Sequence, residues 1–80
     1  MENEIRENIE RWKIKAEVFI KNNTKAFVVD IHNTYYFCDI IFVVDDGIYL
    51  KNFKGPRKHE KERIYWSDVI KLEEYRDVEG

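Results

Sequence analysis

Between Lys51 and Arg63 the chain gathers Lys51, Lys54, Arg57, Lys58, Lys61 and Arg63, with Tyr49, Phe53, Tyr65 and Trp66 interleaved or adjacent. Cations that neutralise phosphates, set beside rings on which bases stack, are the two components of single-stranded nucleic-acid binding. Glu60 and Glu62 oppose the six cations, so the segment carries +4 while a chain of net charge −2 carries −6 elsewhere. That balance argues against indiscriminate coating of nucleic acid or membrane and points to a local site. The expected nucleic-acid-binding residues are Lys51, Lys54, Arg57, Lys58, Lys61, Arg63, Tyr49, Phe53 and Tyr65. A solvated hairpin loop whose aromatics belong to the core has the same composition, and this second reading stays open.

Other chemistry has thinner support. A nucleophile needs a base within reach, and that base an orienting group. His32 has Asp30 nearby in sequence, and His59 has Glu60 and Glu62, but neither brings a nucleophile, and Ser67 has no Gly-rich elbow. His32 and His59 lie in separate turns, no Cys or His pair has ligand spacing, and Asp45-Asp46-Gly47 is too short for a calcium loop. The expectation is a non-enzymatic protein with no catalytic residues, metal or cofactor. Cys38, the single cysteine, sits in the most apolar stretch and reads as an inert buried thiol. Asp39 lies in the same stretch and needs a partner, for which a Lys or Arg on the neighbouring strand is the expectation.

The element that must position these groups is Tyr35 to Val44. Tyr35, Phe37, Asp39, Ile41 and Val43 fall on one face and Tyr36, Cys38, Ile40, Phe42 and Val44 on the other, so both faces are apolar. That is the pattern of a strand covered on both sides. The turn Asp45-Asp46-Gly47 then leads into Ile48 to Phe53, a hairpin. At the amino terminus Ile5, Ile9 and Trp12 share a helical face, with Glu2, Glu4 and Glu7 early in the helix and Glu7 and Arg11 four apart. From Lys13 an alternation of Ile14, Ala16, Val18 and Ile20, broken by Phe19, favours a strand. A helix continuing to Lys21 would leave Ile14 and Val18 wet. Asn22-Asn23 and His32-Asn33-Thr34 read as tight turns, because Asn tolerates positive φ. Gly55-Pro56 and the charges around them mark an exposed loop. Ser67-Asp68-Val69 reads as a 3₁₀-like turn before Ile70 to Tyr75, for which a strand is preferred over a short helix.

A single domain over residues 1–80 follows: a helix about 3–12 and strands about 14–21, 25–31, 35–44, 48–53, 62–66 and 70–75. The fold class is mainly β, a small, strongly bent, five- or six-stranded antiparallel barrel with an amino-terminal amphipathic helix. The apolar fraction of 44% excludes a disordered tail, and 15% aromatics supply large buried areas to a small core.

The helix, Val18 to Asn23, the long strand ending in Val44-Asp45-Asp46, and Ile64 to Val69 followed by Ile70-Lys71-Leu72 resemble the Sm-like and SH3-like small barrels. The resemblance implies that fold and raises, by analogy, RNA binding and homo-oligomeric rings. Sm-like proteins usually carry a Gly after the Lys-Asn of the first turn, a Gly in the second strand, a base-gripping Asp and Asn, and a late Arg-Gly. Here Asn23 and Cys38 stand at the first two places and no Arg-Gly exists, so the family's RNA-binding residues do not carry over. The expected partner is single-stranded RNA. The alternative is a homo-oligomer or protein adaptor that uses sheet edges and the helix, with Tyr35, Tyr36, Phe53, Trp66 and Tyr75 as surplus aromatics. No membrane partner is expected, and the charged opening MENEIRENIERW without an apolar span gives a cytoplasmic address by default.

Overall fold

The computed structural model describes residues 2–76, with side chains from residue 8 onward. One helix, α1 (Glu2–Lys21), precedes five strands, β1 (Lys25–Asp30), β2 (Tyr35–Val44), β3 (Gly47–Asn52), β4 (Lys61–Tyr65) and β5 (Val69–Glu74), with a 3₁₀ turn, η1 (Trp66–Asp68), between the last two. The strands form one antiparallel sheet in the order β4-β3-β2-β1-β5. The fold is mainly β, and β4 and β5 stand at its two edges. No helix among the described residues is long and apolar enough to cross a membrane.

The strand expected at 14–21 does not form; α1 runs through to Lys21, and five strands remain of the six. The helical register explains why. It lines up Ile9, Trp12, Ala16, Phe19 and Ile20 against the core, and so uses Phe19, the residue that broke the alternation. Ile14 and Val18 are left 62% and 46% exposed, which single surface apolar residues tolerate. The roles expected of Glu2, Glu4, Ile5 and Glu7 lie outside the described side chains. Asn23 ends the helix at φ 53°, while its N–H donates to the Ile20 carbonyl at 3.2 Å and the Thr24 N–H donates to the Phe19 carbonyl at 2.8 Å. This is a Schellman motif, so the positive φ read from the sequence serves a helix end rather than a strand-to-strand turn.

The core joins Ala16 and Phe19 of α1 to Ala26 and Val28 (β1), Tyr36, Cys38 and Ile40 (β2), Ile48 and Leu50 (β3), Ile64 (β4), Trp66, Val69 and Leu72. The Trp66 indole N–H donates to the Val44 carbonyl at 3.1 Å, which pins η1 to the far end of β2. Gly47 is there for close approach: a Cβ at this position would lie 2.2 Å from the Ile64 carbonyl oxygen on β4.

On the outer face of β2 only the stretch around Phe37 is covered by neighbouring side chains, while Tyr35, Ile41 and Phe42 are 58%, 39% and 48% exposed. The Phe27 ring stacks on Phe37 at 5.4 Å, Tyr75 meets Phe37 and Phe53 edge-on at 5.7 and 5.1 Å, and Lys25 lies 4.3 Å over Phe53. Lysine stems and aromatic rings thus cover this face around Phe37 alone. The strand covered along both sides that the sequence pattern called for is not realised, because among the described residues no second layer packs on the sheet there.

Candidate nucleic-acid interface

The loop between β3 and β4 folds on its own backbone. The Lys58 N–H donates to the Gly55 carbonyl, Glu60 to Arg57 and His59 to Asn52, with Gly55 at φ 90° and His59 at φ 77°. The six cations expected to act together separate into three groups.

Arg57 faces inward. Its guanidinium lies 4.6 Å over the Tyr36 ring, pairs with Glu62 at 3.5 Å and donates to the Tyr35 carbonyl at 3.2 Å. Glu62 also accepts from the Asn52 amide, and Tyr36 donates its hydroxyl to Asp30 at 2.9 Å. Arg57 therefore clamps the loop to the sheet. Lys54 is likewise engaged: it donates to the Tyr75 hydroxyl at 3.1 Å and lies over the Phe37 and Tyr75 rings at 5.6 and 5.5 Å. Phe53, expected as a stacking platform, is held between Lys25 and Tyr75 in this cluster.

The third group is a grid on the outer face of β2, β3 and β4. Outward-facing positions pair as Lys51↔Lys61, Tyr49↔Arg63 and Gly47↔Tyr65 across β3 and β4, and Phe42↔Tyr49 across β2 and β3. Arg63 donates to both Asp46 oxygens at 2.7 and 2.8 Å and lies over Tyr49 and Tyr65 at 5.4 and 4.9 Å. The Asp46 hydrogen bond raises the Arg63 pKa further and keeps the guanidinium charged. Lys51, Lys58 and Lys61 are exposed and have no ion-pair partner among the described residues. Lys51 and Lys61 face each other directly, an arrangement of like charges that weakens a sheet. On the other side Lys51 faces Asp39, whose carboxylate is already engaged by Lys25 at 3.3 Å, the neighbouring-strand partner expected for that acid.

Phe42 is the residue sequence reasoning missed. Strict alternation places it inside with Tyr36, Cys38 and Ile40. The register slips between Ile40 and Phe42, so Ile41 is an extra residue, Phe42 lies opposite Tyr49, and Val43 takes the place opposite Ile48 and packs on the core. Nothing in the local sequence announces this β-bulge.

Asp30, Tyr36 and Cys38 are buried and serve the fold. Burial alone would raise the Asp30 carboxyl, but the Thr34 N–H, the Tyr36 hydroxyl and the His32 N–H all bond to it and hold it below the ordinary aspartate range. Burial and then the Asp30 hydrogen bond raise Tyr36. Burial pushes the Cys38 thiol up to about 12, which leaves no thiolate at neutral pH. Comparison with family models, with curated proteins and with solved structures found no match to this chain.

Proposed function

We propose that the protein is a non-enzymatic binding module that takes single-stranded nucleic acid, RNA in the first instance, on the outer face of β2–β4. Lys51 and Lys61 contact phosphates there, with Arg63 and Tyr49 beside them and Tyr65 at the rim, while Lys58 stands apart in the β3–β4 loop. The observation that carries this reading is the Lys51/Lys61 pair: two like charges directly across a strand pair, with aromatic side chains on the flanking outward positions. A local conflict of this kind marks a place where sequence serves something other than stability. The parent fold is read as a bent small barrel of the Sm-like or SH3-like kind, with η1 turning the chain from β4 to β5.

The test is a fluorescent single-stranded RNA titrated at two salt concentrations. Neutralising four phosphates gives a log–log slope of about −3 for a single strand. The K51Q/K61Q double variant weakens binding and flattens the slope to about −1.4. Binding indifferent to salt, or unchanged in the double variant, contradicts the proposal. The second reading, a homo-oligomer or adaptor, is favoured by the two sheet edges and by exposed Ile70 on β5 and Tyr65 on β4. Light scattering separates it, since a concentration-independent monomer removes the oligomer.

A further inference from the structure

We infer that the β-bulge at Ile41 presents Phe42, together with Tyr65, as the base-stacking platform of the site, so that the ligand is a single strand with unpaired bases. This rests on the single-strand reading above. Three independent features of the grid converge on it.

First, the bulge moves a large aromatic out of the core. Phe42, at 48% the one Phe among the exposed large hydrophobics of the described residues, forgoes burial, and Val43 takes over the inward position. Bulges of this kind commonly re-aim a side chain at functional sites. Second, the two exposed rings bracket a rigid support. Phe42 lies 4.5 Å from Tyr49 at an interplanar angle of 31°, Tyr49 lies opposite Arg63, and the Arg63 guanidinium lies over both Tyr49 and Tyr65. Tyr65 is also 48% exposed, and its cross-strand neighbour is Gly47, which adds no side chain to that end of the grid. Asp46 fixes Arg63, so the support is preorganised before any ligand arrives.

Third, the charge around the platform suits a polyanion. Lys61 is two residues before Arg63 on β4 and Lys51 two residues after Tyr49 on β3, so both cations lie roughly 7 Å along their strands from the aromatic row. The acids on this face are occupied, Asp46 by Arg63 and Asp39 by Lys25. Phosphates on the lysine row with bases on Phe42 and Tyr65 use both halves of the grid. A duplex, whose bases are already stacked on each other, uses only the lysines.

The experiment compares three probes on the full chain: a ten-residue oligouridine, the same length of abasic sugar-phosphate, and a decaglutamate peptide. F42L and Y65L keep apolar bulk at exposed positions and remove the rings, and thermal melts confirm that both fold. Each loses roughly five- to 150-fold affinity for oligouridine, since stacking of a base is worth that factor by ring removal. Their salt slope and their affinity for the abasic strand equal those of the wild type. Oligouridine bound by F42L and Y65L as tightly as by the wild type overturns the platform while leaving the lysine site in place. An abasic strand, or decaglutamate, held by the wild type as tightly as oligouridine overturns it too. A wild type that binds no oligouridine at low salt removes the single-strand reading and the platform together.

Discussion

At the scale of single residues, the buried polar groups set the strongest expectations. Asp30 accepts three hydrogen bonds from the β1–β2 turn and from Tyr36. Replacing it by Ala leaves those donors without their carboxylate and costs about 1–3 kcal/mol in urea unfolding. Because its folded pKa is depressed, this stabilisation is fully present above the ordinary aspartate range, about pH 4, and is lost as pH falls through the folded value. The gap between wild type and D30A therefore narrows in acid and is flat from pH 5 to 8. Cys38, fully buried with its thiol pushed up to about 12, reacts with iodoacetamide only through unfolding, so its alkylation rate follows the denaturant dependence of opening. Rapid labelling of the native protein contradicts this placement. The inertness of Cys38 and the partner of Asp39 were legible because burial and charge follow directly from residue type in an apolar strand. The inward turn of Arg57 was not, because it depends on the Tyr36 ring and Glu62 meeting it from β2 and β4.

At the scale of elements, β1 to β5 fall close to where alternation and turn residues put them, since strand periodicity and Asn, Gly and Asp punctuation are local signals. Two things were hidden. The extent of α1 depends on which stripe the sheet can cover, and two periodicities compete over Lys13–Lys21. The helix wins by burying Trp12, Ala16 and Phe19 together. Ala16, fully buried against the sheet, tests this: A16L overpacks the contact and costs about 1–3 kcal/mol, whereas I14A on the wet side stays within about 0.5 kcal/mol. Equal costs at the two positions contradict the docked helix. The Schellman end gives a companion result. N23G retains or improves stability, while N23V, a β-branched residue forced to φ 53°, loses about 1–2 kcal/mol. The second hidden feature, the bulge in β2, is a property of the β2–β3 register, and it alone decides that Phe42 joins the surface.

At the scale of the molecule, charge is segregated rather than large. A net charge of −2 coexists with a basic, aromatic outer face, which favours a short contact over wrapping. The cations that looked continuous along the sequence are partitioned by the fold. Arg57 holds the loop, Lys54 covers aromatics, and Lys51 and Lys61 face solvent together. The candidate site thus lies on a sheet face rather than in the loop. Of Phe42, Tyr49, Lys51, Lys61, Arg63 and Tyr65 all but Phe42 were legible in the sequence, because only the β2–β3 register brings Phe42 into the grid. The most direct test of that placement is an NMR titration of the labelled protein with single-stranded oligouridine at low salt. Saturable shift changes centred on Phe42, Tyr49, Lys51, Lys61, Arg63 and Tyr65, fading as salt is raised, are the expected result. Changes confined to the Arg57–His59 loop or to α1, or a spectrum that the oligonucleotide leaves unmoved, would contradict that placement.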